Sequence, residues 1–218
     1  MTRYADAVLF DLDGTLLDTA ADMAAAANHV LALHQFPPLS KRQIQDNTSY
    51  GATGLLKAGF GEHIATMDAK SLRGQFLDYY ANHICHGTTQ YAGVSEMLAG
   101  LDELDIPWGI VTNKPTYLTE LLLPHFDLLT RTRVLVCADT LTVAKPHPEP
   151  LWYAADQLHI GANRCLYIGD IRNDVIAAKN ATMLSAVAAW GYTGADGNPI
   201  GWEADQILSN PVDLLSLF

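Results

Sequence analysis

The chain has 218 residues, 49% hydrophobic and 17% charged, with a formal net charge of −11. Such a composition can bury a real core and excludes a disordered chain; the acidic balance excludes a nucleic-acid binder, whose partner demands a basic surface. No apolar run approaches the roughly 18–20 residues that span a bilayer, and the N-terminus shows no signal-peptide architecture, so a membrane partner is not expected and the cytoplasm is the default location.

In chain order, the first predicted strand is Ala7–Phe10, short and wholly apolar, as strands buried on both faces read. It runs directly into Asp11-Leu12-Asp13-Gly14-Thr15-Leu16, two carboxylates one residue apart followed by a turn-forming glycine. Ligand sites of open α/β sheets lie at the carboxyl ends of strands. Two carboxylates buried close together are unfavourable unless a cation or protons compensate.

From Leu16 to about Gly87 no strand is predicted, only helices. Ala20–Leu33 is alanine-rich and ends before Phe36-Pro37-Pro38. Ser40-Lys41-Arg42-Gln43 has the form of a capping box. Gly51, Gly54, Gly59 and Gly61 are expected to interrupt the middle, and Leu72, Phe76, Tyr79, Tyr80 and His83 mark a last helix. An insertion of roughly 70 residues is too long for an ordinary crossover. It reads as a helical cap domain, residues 16–87, set into a core of residues 1–15 and 88–218.

Alternation then resumes. Val94, Met97, Leu98, Leu101 and Leu104 share one helical face, and strand Trp108–Val111 leads into Thr112-Asn113-Lys114. Leu118, Leu121, Leu122 and His125 follow as a helix after Pro115, and another helix is expected from Pro150 to about His159. Further strands are Val134–Cys137, Leu166–Ile168 and Ala186–Ala188, with a weaker edge strand at Asp205–Leu208. The pattern predicts an α/β fold, a doubly wound (Rossmann-like) parallel sheet carrying an inserted helical cap. Cys85, Cys137 and Cys165 lack the spacing of a zinc site or a disulfide framework, and the latter two are expected as buried free thiols.

Four ordered stretches resemble the haloacid-dehalogenase superfamily of phosphotransferases: Asp11-Leu12-Asp13-Gly14-Thr15, Ile110-Val111-Thr112-Asn113-Lys114, Lys145-Pro146, and Ile168-Gly169-Asp170-Ile171-Arg172-Asn173-Asp174. The resemblance implies a phosphatase with Asp11 as nucleophile, forming an aspartyl phosphate that splits a hard transfer into two easier steps. It implies Asp13 as general acid and base, for which the chain must turn at Leu12-Asp13, a turn that Gly14 eases beside the phosphate. Mg²⁺ is the implied cofactor, held by Asp11, Asp13 through its backbone carbonyl, Asp170 and Asp174. Thr112 and Asn113 would donate hydrogen bonds to phosphate oxygens, and Lys145 would neutralise nucleophile and phosphoryl charge together. Lys114 is expected to sit beside the phosphate loop without being catalytic itself.

The position of the cap, and Asp18-Thr19 after the first motif, are similar to phosphoglycolate phosphatases and related enzymes of small sugar phosphates. A closer resemblance, carried by Trp108-Gly109-Ile110-Val111-Thr112-Asn113-Lys114-Pro115 and Lys145-Pro146-His147-Pro148-Glu149-Pro150-Leu151, is to N-acetylmuramate 6-phosphate phosphatases, but these stretches speak for kinship more than for substrate and both substrates stay open. Tyr50 and Gly51, in the cap's glycine-containing loop, are the specificity candidates. The partner is a small phosphorylated substrate, the protein a monomer or homodimer. A dehalogenase would not need Asp13 and Asp170, and a phosphoacceptor signalling module would lack the cap. Thr182 stands where the family usually has glycine, at a cost of about 1 kcal/mol if a left-handed residue is needed there.

Overall fold

The structure, a computed structural model, describes residues 3–193 and 197–218. Its elements are β1 (Ala7–Phe10), β2 (Leu17–Asp18), α1 (Ala20–Leu33), α2 (Lys41–Asn47), α3 (Gly51–Phe60), α4 (Ala69–Asn82), β3 (Thr89–Gln90) and α5 (Val94–Glu103). There follow β4 (Trp108–Val111), α6 (Thr116–Leu122), β5 (Leu135–Val136), α7 (Glu149–Gln157), β6 (Cys165–Gly169), α8 (Arg172–Asn180), β7 (Leu184–Ala188) and β8 (Gln206–Leu208). Six strands form one parallel sheet in the order β5-β4-β1-β6-β7-β8. This is the expected doubly wound α/β fold. No helix among the described residues is long and apolar enough to cross a membrane.

Alternation along β1 divides the core. Val8 and Phe10 join the face covered by α5, whereas Ala7 and Leu9 join the face covered by α7 and α8, as a period of two requires. The chain leaves β1 for β4 and β5 on one side, then returns to β6 on the other. The carboxyl end of β1 is therefore a topological switch point, where open sheets leave a crevice. Register levels the neighbours: Phe10 pairs with Ile110 and with Ile168. Asp11, Thr112 and Asp170 consequently emerge at one edge of the sheet.

Helices α1–α4 share a hydrophobic core of their own, built from residues such as Val30, Leu55, Phe60, Phe76 and Tyr80. Ser40 caps α2 in the expected capping box with Gln43. Four expectations are corrected here. Gly54 and Gly59 do not interrupt the helical segment but lie inside α3. A Cβ on Gly59 would stand 2.6 Å from a Leu31 methyl, so this glycine permits close packing of α3 on α1. Second, the insertion is not strand-free: β2 pairs antiparallel with β3, Leu17 opposite Gln90 and Asp18 opposite Thr89. The strand expected at Val134–Cys137 shrinks to Leu135–Val136. The helix after Pro115 ends at Leu122 and passes into a 3-10 turn, Leu123–His125. All three cysteines are free, Cys137 and Cys165 buried.

Candidate active site

Asp11 follows the last residue of β1, and its amide donates to the Ile168 carbonyl at 2.8 Å, which still fastens it to the sheet. The next residues turn tightly, with the Leu16 and Leu17 amides both reaching the Leu12 carbonyl at 3.0 Å. Gly14 has φ +84, and a Cβ there would lie 2.2 Å from Asp170 Oδ2. A side chain at this position would displace the carboxylate as well as strain the backbone. Gly191 is constrained likewise, its virtual Cβ falling 2.1 Å from the Gly14 carbonyl oxygen.

Asp11, Asp170 and Asp174 are all buried, and each offers an oxygen within 4.8 Å of the others. Lys145, also buried, lies 3.0 Å from Asp11 and 2.8 Å from Asp174. Its Nζ donates to the Tyr167 hydroxyl at 2.5 Å, and that hydroxyl stands 3.2 Å from Asp174 Oδ1 and 3.0 Å from the Val111 carbonyl. Asp174 Oδ2 accepts from the Ile171 amide at 3.2 Å, so it also serves the start of α8. Asp170 is held more lightly, by the Tyr192 amide at 3.0 Å and a long 3.5 Å contact from Thr15.

One lysine among three buried carboxylates leaves negative charge uncompensated. Burial pushes the Asp11 carboxyl up to about 7, with Lys145 opposing and Asp174 and Asp13 adding to the rise. Asp170 is raised well above the usual carboxylate range, first by burial and then by Asp174 and Asp11. Lys145 keeps its proton: burial works against its charge, but Asp11 and Asp174 outweigh it and raise its pKa. A hard divalent cation among these oxygens would compensate that charge, and an all-oxygen donor set suits one.

Thr112 and Asn113 leave β4 beside this cluster. The Thr112 hydroxyl accepts from the Lys114 amide at 3.2 Å, which leaves its proton free to donate elsewhere. The Asn113 side chain clasps the Lys145 backbone, donating to its carbonyl at 3.0 Å and accepting from its amide at 3.1 Å. Asp13 sits apart from the carboxylate trio, in an ion pair with Lys114 at 3.0 Å. Lys114 is itself buried and also donates to the Tyr80 hydroxyl of α4 at 3.0 Å. Burial disfavours its charge, yet Asp13 and Tyr80 more than offset this and raise its pKa. Neither Tyr80 nor Tyr167 was expected at the site. A tyrosine in the otherwise apolar run Cys165-Leu166-Tyr167-Ile168-Gly169 was the available signal, because a buried hydroxyl needs a partner.

Above the carboxylates lies a cavity of about 630 Å³ between the sheet edge and helices α3, α4 and α6. Asp11, Asp13 and Lys114 line its floor, and Tyr50, Lys57, Arg73 and Tyr80 its helical wall. Tyr50 is 48% exposed. Gly51, at φ +62, opens α3 on the same wall.

A switch-point crevice holding clustered aspartates, a buried lysine and an inserted helical layer defines a haloacid dehalogenase-like hydrolase. Residues 8–188 match that family, and the chain belongs to it. An N-acetylmuramic acid 6-phosphate phosphatase of Pseudomonas aeruginosa is 39% identical over 211 residues, which cover 97% of this chain and 93% of that protein. A phosphoglycolate phosphatase of Xanthomonas campestris is 40% identical over 212 residues, covering 97% and 96%. The crystal structure of a predicted phosphoglycolate phosphatase from Haemophilus somnus superposes with a TM-score of 0.88 at 26% identity, covering 100% of this chain and 99% of that one. The protein is a phosphatase.

Proposed function

We propose that the protein is a Mg²⁺-dependent phosphomonoesterase that works through an aspartyl phosphate on Asp11, with phosphoglycolate as its first-choice substrate. The observation that carries this is the placement of Asp11: 3.0 Å from Lys145, grouped with Asp170 and Asp174, and open to the cavity floor. Asp11, Asp170 and Asp174, with the Asp13 backbone carbonyl, would hold the metal, which when bound supplies positive charge between two anionic reactants.

An Asp11 carboxylate oxygen attacks phosphorus, a new O–P bond forms, and the bond from phosphorus to the substrate alkoxide breaks. Asp13, a carboxylate paired with Lys114 in the free enzyme, enters the reaction protonated and gives that proton to the alkoxide, so the leaving group departs as an alcohol. Asp13, now a carboxylate, takes a proton from water as the water oxygen attacks phosphorus and the Asp11 O–P bond breaks, its electron pair returning to the carboxylate. Inorganic phosphate leaves, and Asp11 is restored. Thr112 donates its free hydroxyl proton, and Asn113 its backbone N–H, to the phosphoryl oxygens. Lys145 compensates charge on the nucleophile throughout.

The helical wall supports a substrate that carries a carboxylate besides its phosphate. The only acids lining the cavity among the described residues are Asp11 and Asp13, whereas Lys57 and Arg73 face it with no carboxylate within ion-pair reach. In a chain of net charge −11, two unpaired cations over the site favour an anionic ligand. Tyr50 and Gly51 would shape the same wall. The cavity's size, about 630 Å³, favours a second reading, N-acetylmuramate 6-phosphate, which is larger and also carries a carboxylate. Three free cysteines suit a reducing, cytoplasmic setting.

The test is a comparison of kcat/KM for phosphoglycolate, N-acetylmuramate 6-phosphate and hexose 6-phosphates with Mg²⁺ present, alongside Asp11→Asn. The carboxylated esters should lead, and the variant should be folded and inactive. Retained turnover by Asp11→Asn would rule out the nucleophile, and faster turnover of neutral sugar phosphates would rule out the substrate reading.

A further inference from the structure

We propose that Lys114 and Tyr80 act as a positioning pair, making the placement of Asp13 depend on how helix α4 seats against the sheet edge; this rests on the acid–base role of Asp13 given above. Three parts of the chain that are remote in sequence meet at one ammonium group. Lys114 Nζ touches both Asp13 oxygens, at 3.0 and 3.3 Å, and the Tyr80 hydroxyl at 3.0 Å. It also stands 4.5 Å from the centre of the Tyr80 ring. With those partners the buried lysine is satisfied, and among the described residues it has no other ion-pair acceptor.

Both ends of the chain of contacts are stiff. Tyr80 belongs to the helical core and is 1% exposed, its ring stacked on Phe76 at 6.2 Å and 6°. The Lys114 backbone is tied to Thr112 through its amide and to Ala138 through its carbonyl, which accepts at 3.1 Å. The Asp13 backbone is held in the turn after β1 by the Gly14 amide on the Leu17 carbonyl and by the Leu16 and Leu17 amides on the Leu12 carbonyl, whereas its carboxylate, among the described residues, has no ion-pair partner but Lys114. Displacing α4 removes the Tyr80 hydroxyl from Lys114 and leaves the lysine one anchor short. The carboxylate it holds then samples more positions. General acid–base catalysis needs its group within hydrogen-bond reach of the proton it moves, so this loosening falls on kcat more than on binding.

The experiment combines Tyr80→Phe, Lys114→Met and Lys114→Arg, each in the wild type and with Asp13→Asn, measuring kcat and KM for the best substrate and thermal midpoints for all variants. Phenylalanine keeps the buried ring, so Tyr80→Phe should fold with a midpoint near that of the wild type. It should lower kcat about tenfold, and Lys114→Met about 10²-fold, with KM within about twofold; these are fractions of the 10²–10⁴ that a positioned acid–base contributes. Lys114→Arg should recover part of the loss. Once Asp13→Asn has removed the group being positioned, Tyr80→Phe should cost nothing more, the non-additivity of residues acting as one unit. An equal tenfold loss in the Asp13→Asn background would overturn the coupling, as would a Tyr80→Phe enzyme with unchanged kcat. Should Lys114→Met fail to fold, the Tyr80→Phe and Lys114→Arg pair still decides. An Asp13→Asn enzyme as fast as wild type would remove the acid–base reading beneath the proposal, a different result from additivity on a slow Asp13→Asn background.

Discussion

Replacing Lys145 with methionine keeps a flexible side chain of similar length and removes a cation that touches two buried carboxylates, Asp11 at 3.0 Å and Asp174 at 2.8 Å. At 3 Å and an effective dielectric of about 20, each contact is worth about 5–6 kcal/mol of gross attraction. Against the sum stands the several kcal/mol needed to strip water from an ammonium group. The net effect of breaking such a buried arrangement by deleting one partner is a loss of about 3–5 kcal/mol. The Tyr167 hydroxyl, 3.2 Å from Asp174, remains as a partial replacement, so the lower end is expected. Urea unfolding followed by the fluorescence of the four tryptophans would measure it. Saturating Mg²⁺ should narrow the gap between variant and wild type, since the more negative site gains more from a bound cation. Turnover should fall at least 10²-fold. A stability loss below about 1 kcal/mol, or a gap indifferent to Mg²⁺, would refute the charge argument.

The remaining expectations concern protonation and one backbone position. Asp11 is pushed up to about 7 from 3.8 in the absence of metal, so between those values the native state holds a proton that the unfolded chain has released. Its contribution to stability therefore falls as pH rises from about 4 to about 7. In EDTA, wild type should lose ground to Asp11→Asn across that window, and a constant difference in urea midpoint would show that Asp11 titrates ordinarily. Thr182 has φ +59 beyond the end of α8, the left-handed conformation foreseen for that position. Thr182→Gly should stabilise by about 0.5–1 kcal/mol without altering kcat. A lower urea midpoint would mean that the 2.6 Å bond from its hydroxyl to the Ala181 carbonyl matters more than the backbone strain.

What could be read from the sequence followed from how local each signal was. β1 and its pair of aspartates stand out because an apolar strand ending in acids is written in consecutive residues. The parallel α/β sheet follows from alternation, though its strand order does not, and Asp170 and Asp174 come with the strand and helix that carry them. Lys114 was expected to stay outside the chemistry because nothing near it in sequence gives it a partner; Asp13 lies 101 residues away and Tyr80 34. Tyr80 was legible only as part of a helical stripe, where an aromatic residue reads as packing. Both readings hold at once, since its ring is in the helical core and its hydroxyl at the site. The β2–β3 pair was missed because two residues per strand carry no periodicity. Gly54 and Gly59 looked like helix breakers because propensity penalises glycine, while close packing, visible only in three dimensions, compensates.

That short β2–β3 pair has a consequence for how the fold can change. Leu17 and Asp18 lie against Gln90 and Thr89, and the Asp22 carboxylate accepts from the Gly87 and Thr88 amides and from the Thr88 hydroxyl. The helical excursion thus leaves and rejoins the sheet through a neck only two strands wide. Closing a loop costs little more as it lengthens, about 0.6 kcal/mol per doubling. Behind such a neck the sheet barely registers how long the excursion is or what it contains. Provided the Tyr80 hydroxyl keeps its hold on Lys114, the other helices above the neck can be lengthened, exchanged or rewritten while Asp11 stays in register below it, so that new substrates are reachable without reinventing the reaction.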